Sequence, residues 1–178
     1  MVAFEPEYAN LHWLNDNLLI NRLSDRVQVY ALALSNRSGV SALHIHDPTP
    51  GAALHLESPE RVDATRVNHA VLCREGVYAI RLDEFCEQTG LQPHCMKIDV
   101  DGTELAVLEG GLRTITSPQF RSLMIEMPEE PEVRHACIEW LLKAGLRCRQ
   151  RPALGPNTSE LWVPKSAAEA GVFAGAAG

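Results

Sequence analysis

Hydrophobic positions along the chain change their period several times, and each change marks an element. Val2-Ala3-Phe4 is a short apolar run that predicts a buried strand, with Glu5 at its carboxyl end and Pro6 at the first position of a helix. Leu11, Leu14 and Leu18 then recur at helical spacing, so the helix is expected over 6–21, ending in the polar turn at Asn21. The run from Val27 to Leu34 is apolar on both faces, which predicts a strand covered on both sides as in a parallel sheet, with Ser35 at its end. SNRSG reads as a turn and VSALHIH as a further strand that pairs nearby. Residues 47–60 carry three prolines and read as a long loop, a kind of segment that is often functional.

Beyond that loop, stretches near 66–72 and 77–82 look extended and Asp83 to Thr89 looks like a short helix. HCMKIDV predicts a buried strand ending in Asp99, and Gly102 a tight turn after it. TELAVLEGG follows as a helix closed by glycines, where left-handed backbone is wanted. RSLMIEM predicts a strand ending near Glu126, then a helix from about Pro131 to Ala144 is stopped by Gly145, with strands near 146–151 and 160–164. The alternation of apolar strands and helices implies a doubly wound, mostly parallel α/β sheet, whose ligands bind at the carboxyl ends of the strands. That rule gathers Glu5, Ser35, Asp99, Asp101 and Glu126 on one rim. One domain over 1–165 is expected, followed by a flexible Ala/Gly tail over 166–178.

Charge and composition narrow the partners. The net charge of −7, without a dense Lys/Arg run, argues against nucleic acid and anionic membrane and leaves a small molecule as the expected partner. Five cysteines with no C-x-x-C pair argue against a disulfide framework or a structural zinc site. No apolar stretch reaches the ~18 residues of a membrane span, and no cation-then-apolar leader opens the chain, so a soluble cytoplasmic protein is expected. His44 and His46, with Asp47 and His55 nearby, have a spacing that could share a metal. An edge strand turning polar side chains to water is the stronger reading, and no metal is expected.

AFEPE, ALALSNRSG, GAALH, RLDEF, KIDVDGTELAVLEGG and MIEM, in this order, resemble the FkbM family of S-adenosylmethionine-dependent methyltransferases over about residues 2 to 164. The most specific piece is KIDVDGTELAVLEGG, with Asp101 where the family usually has glutamate. The resemblance implies a Rossmann-like fold of the class I methyltransferase type and S-adenosylmethionine as cofactor. It also implies methyl transfer to a hydroxyl oxygen of a small molecule or sugar. Glu5 would then accept hydrogen bonds from the ribose hydroxyls, and Ser35 would approach the adenine or ribose. Asp99 would lie beside the methyl donor, Asp99 or Asp101 would take the acceptor's proton, and Glu126 would face the acceptor. Read on the residues alone, Glu5 complements a helix dipole, Asp101 caps a helix, Asp99 binds backbone amides, Ser35 bonds locally, Lys97 forms an ion pair and Glu126 is an ordinary strand-end acid.

The family's glycine-rich first motif is not among these residues. The expectation is therefore an N-terminally incomplete domain that lacks its first strand and helix and binds the donor weakly or not at all. A segment of a second copy could fill the slot, which makes a homo-oligomer possible. The alternative reading is a non-catalytic or truncated fragment or a binding module. A nicotinamide-dependent dehydrogenase would share the ribose carboxylate but would leave KIDVDGTE unexplained.

Overall fold

A computed structural model describes residues 1–46, 71–100, 102–151 and 159–165, and the backbone of 56–58. Asp101, most of the 47–60 loop including His55, residues 66–70 and the 166–178 tail lie outside the described residues. The chain divides into two compact units, Met1–Arg81 and Leu82–Gly178.

The first unit opens with strand β1 (Val2–Phe4), helix α1 (Tyr8–Ile20) and strand β2 (Gln28–Tyr30). β1 and β2 pair in parallel with Ala3 opposite Val29, so the helix is the crossover that a parallel pair requires. The Phe4 and Tyr30 rings stack at 5.9 Å at the carboxyl ends of the two strands, next to Glu5. The helix starts two residues later than the proline suggested. Glu7 is its N-cap, buried at 5% exposure, and its carboxylate accepts the N–H groups of Ala9 (2.9 Å) and Asn10 (2.5 Å). Two N–H groups with no partner inside the helix are thereby satisfied, which fixes where the helix begins.

The apolar run from Val27 to Leu34 is two strands rather than one. After β2 the ladder breaks at Ala31 and Leu32, and Ala33–Leu34 forms β3 in another sheet. That sheet also holds β4 (Gly39–Ile45), β5 (Leu56–Ser58) and β6 (Cys73–Ile80), in the order β3-β6-β4-β5. β3 runs parallel to β6, whereas β4 is antiparallel to both β6 and β5. The expected loop over 47–60 therefore contains a strand at 56–58. With β5 on its far side, β4 is an interior strand and not an edge, and His44 is 1% exposed instead of facing water. No cluster of metal-ligating side chains occurs among the described residues.

The second unit contains α2 (Leu82–Thr89), β7 (Cys95–Ile98), α3 (Glu104–Gly110), α4 (Leu112–Ile115), β8 (Ser122–Glu126), α5 (Pro131–Lys143), β9 (Leu146–Gln150) and β10 (Ser159–Pro164). Its sheet has the order β7-β8-β10-β9, with β7 and β8 parallel and β10 antiparallel to both its neighbours. Leu123 and Ile125 are fully buried while Met124 between them is exposed, the alternation of a strand that buries one face here. Leu108, Leu141, Leu146 and Trp162 complete the core.

Two buried acids hold this unit together. Asp83 accepts the N–H groups of Arg113 (2.9 Å) and Thr114 (2.8 Å) and the Thr114 hydroxyl (2.8 Å), tying α2 to the start of α4. Glu160 accepts from the Trp162 indole and from Arg134, both at 3.1 Å, and pairs with Arg151 at 3.3 Å.

Gly102, in the expected tight turn, and Gly145, at the expected helix stop, adopt left-handed backbone, at φ +87° and +81°. The glycines that close α3 do not. Gly110 is still helical and Gly111 has φ −111°, an angle open to any residue. A Cβ on Gly111 would lie 3.0 Å from Leu82 Cδ2 and 3.3 Å from Ile115 Cδ1, so glycine serves close packing there.

The fold is thus mixed α/β. The expected mostly parallel sheet is distributed over three ladders, each containing one parallel pair: β1-β2, β3-β6 and β7-β8. Among the described residues no helix is long and apolar enough to cross a membrane.

Candidate functional site

In the first unit the candidate group is Glu5, directly after β1. Its N–H donates to the Tyr30 carbonyl (3.1 Å), which continues the β1-β2 ladder and holds the residue at the strand end. The side chain is half-buried. Oε1 accepts the Glu7 N–H at 2.9 Å, and among the described residues Oε2 accepts no hydrogen bond. Burial pushes the Glu5 carboxyl above its ordinary range; the Glu7 N–H opposes this and the Glu7 carboxylate adds to it. Here is a partly desolvated carboxylate with one acceptor oxygen open, a group that a ligand's hydroxyls would satisfy. Ser35, at the end of β3, is 3% exposed and its N–H donates to the Ile80 carbonyl (3.1 Å). It closes the β3-β6 pair, and its hydroxyl is largely covered.

In the second unit the candidates stand at the ends of two neighbouring parallel strands. Ile98 is opposite Ile125 in the β7-β8 register, so the next residue on each strand is a carboxylic acid, Asp99 or Glu126. The Asp99 side chain is 47% exposed and lies 2.5 Å from Lys97 Nζ. Its carboxyl is held below the usual range first by a hydrogen bond with the Glu126 carboxyl, then by the hydrogen bond and charge of Lys97, against the opposing effect of burial. The register sets the two carboxyl groups side by side at the strand ends, and any hydrogen bond between them must carry a proton.

The turn after Asp99 is held from below. Gly102 supplies the left-handed residue, and Glu104, 2% exposed in the first turn of α3, accepts the Gly102 N–H at 3.1 Å. Glu104 therefore serves the shape of the KIDVDGTE segment. Cys137 on α5 feels burial and the nearby Glu104 and Glu109 charges, and its thiol is pushed up to about 11. It is a core residue and not a nucleophile.

A shallow, open depression of about 180 Å³ lies elsewhere in this unit, lined by Asp83, Glu87, Gln92, Arg113, Thr114 and Gln119 among others. Asp83 there is spent on the N–H groups of α4, so its lining explains the unit's packing better than any chemistry.

The strand-end rule found Glu5, Asp99 and Glu126, and the structure brings the last two together. It did not find Glu7, since glutamate is a poor N-cap by type, whereas the ion pair expected of Lys97 is made with Asp99. The spacing of Lys97 and Asp99, two apart on a strand and so on one face, is the signal that carries it.

The sequence pattern of the Methyltransferase FkbM domain matches residues 1–148, which include Glu5, Lys97, Asp99 and Glu126. The chain belongs to the FkbM methyltransferase family. No curated protein matches it in sequence. Among solved structures it is similar to the crystal structure of Methyltransferase FkbM from Methylobacillus flagellatus KT, with a TM-score of 0.56 at 13% identity. At that identity the likeness is one of fold. It covers 91% of this chain, which spans only 36% of the length of the other.

Proposed function

We propose that this domain binds S-adenosylmethionine and transfers its methyl group to a hydroxyl oxygen of a small molecule or sugar. Family membership supports methyl transfer as the kind of reaction. The observation that carries the finer reading is the Asp99–Glu126 pair, held at neighbouring strand ends with Lys97 against it. A shared-proton pair offers a carboxylate that accepts and an acid O–H that donates. A hydroxyl group complements both, whereas an ammonium only donates and a carboxylate only accepts.

Glu5 fits the donor by the chemistry of its own oxygens: it is partly desolvated, and its Oε2 is open to a ribose hydroxyl. When bound, the donor supplies a methyl carbon on a cationic sulfur, which keeps the electron pair of the broken bond. Asp99 takes the proton of the acceptor O–H while the oxygen lone pair forms the new C–O bond. Glu126 steadies that oxygen by a hydrogen bond, and the Asp99 charge also favours a cation nearby. Asp101, two residues after Asp99 in the sequence, is the second candidate base. Holding the acceptor oxygen in line with the methyl carbon would supply most of the acceleration. We read the parallel pairs β1-β2 and β7-β8, each with crossover helices, as βαβ parts of a Rossmann-like, doubly wound fold.

The test is to incubate the protein with methyl-labelled S-adenosylmethionine and matched panels of alcohols, sugars, amines and carboxylic acids. Label recovered as methyl ethers is expected. Label confined to amines or carboxylates would overturn the hydroxyl assignment.

A further inference from the structure

Lys97 is used by neither of the roles given to Glu5 and Asp99, yet it makes the shortest polar contact of the Asp99 side chain that the structure describes, 2.5 Å to Oδ2. Both side chains are partly exposed, at 58% and 47%. Among the described residues, the titratable groups that bear on Asp99 are Lys97 on its own strand and Glu126 at the end of β8. The nearby acid on α3, Glu104, turns an oxygen to the Gly102 N–H instead. A proton shared by two carboxyl groups settles on the one whose ionised form is less favoured, and a cation next to one of them favours that one's ionised form.

We infer that Lys97 is a positioning residue for the pair: it fixes Asp99 as the ionised member and leaves the shared proton on Glu126. The inference rests on the methyl-transfer reading only for its use. In that use it makes Asp99 the acceptor of the substrate's proton and Glu126 the hydrogen-bond donor, a division that neither carboxyl could impose alone. When the substrate O–H gives its proton to Asp99, the pair passes from one proton to two. Lys97 then faces a neutral acid, so the same ion pair that prepares the base favours its return to the ionised state.

The experiment is a residue-resolved carbon NMR titration of the side-chain carboxyls in the full chain and in its Lys97→Met and Lys97→Arg variants. In the wild type the first proton taken up as pH falls should register at Glu126 and the second at Asp99. In Lys97→Met the Asp99 midpoint should rise by about one unit or more, the low end of the effect of a neighbouring opposite charge. Lys97→Arg should stay near the wild type. Added salt should move the wild type in the same direction as Lys97→Met, because an exposed pair is screened. An Asp99 midpoint unmoved by the methionine and by salt, or a first proton found on Asp99 in the wild type, would overturn the inference. No donor or acceptor is present in this titration, so its failure leaves methyl transfer untouched. A failure to transfer methyl groups would likewise leave the titration result standing.

Discussion

Glu5→Gln separates a ligand-binding carboxylate from a structural one. Gln keeps a carbonyl oxygen for the Glu7 N–H, now accepted at 2.9 Å, and places an NH2 group where Oε2 has no partner among the described residues. A ribose hydroxyl that donated to Oε2 would then meet a donor. A hydrogen bond to a charged group contributes about 1.5–3 kcal/mol, and partial exposure puts the loss toward the lower end. The dissociation constant should therefore rise roughly 10- to 100-fold.

The free protein should behave oppositely. Because burial raises the Glu5 carboxyl, the folded chain binds more protons there than the unfolded chain, so stability falls as pH rises through the window between the unfolded and folded values. Gln removes that loss, and the variant should be at least as stable as the wild type at neutral pH. Hydroxyl donors favour the ionised form, so donor binding should release a proton and tighten as pH rises through the Glu5 range. Calorimetry in buffers of different ionisation enthalpy reads both the constant and the proton. An unchanged dissociation constant in a folded variant, with no proton released by the wild type, would refute the ribose assignment.

Asp99→Asn should lower methyl transfer by about 10²- to 10⁴-fold, the usual contribution of a general base, with a much smaller change in donor affinity; single-turnover rates beside binding constants test this, and both unaltered would make Asp99 structural. Asp83→Ala should cost about 2–4 kcal/mol in denaturant unfolding, since it strips three hydrogen bonds from α4 and leaves the buried Thr114 N–H without its partner. Gly111→Ala sets a gain of up to about 1 kcal/mol from a less flexible unfolded chain against about 1–3 kcal/mol of overpacking on Leu82 and Ile115. A net loss near 1 kcal/mol is expected, and a stabilised variant would mean that Leu82 yields freely.

The sequence carried the strand ends well, because an apolar run followed by an acid or a glycine is a local signal. Glu5, Asp99 and Glu126 all stand at the strand ends where that signal put them, and Gly102 and Gly145 mark the turn and the helix stop expected there. What it could not carry was which strand lies beside which. An unbroken apolar run cannot reveal that Val27 to Leu34 leaves one ladder at Tyr30 and joins another at Ala33, since both strands need the same side chains. The exposure expected for His44 failed for the same reason: β4 lies between β5 and β6 and is not an edge, and only pairing reveals it. Gly111 had a sound reason to be glycine, but the reason was Leu82, distant in sequence, and not its own φ. The Asp99–Glu126 pair likewise exists only through the β7-β8 register.

The most direct measurement is a carbon NMR titration of the side-chain carboxyls with S-adenosylhomocysteine, which reports binding even at millimolar affinity. Saturable shifts are expected at Glu5, and their loss on substitution of Glu5 by Gln. Saturation that leaves the Glu5 carboxyl unmoved, or no response at all from folded protein at millimolar ligand, would contradict the assignment.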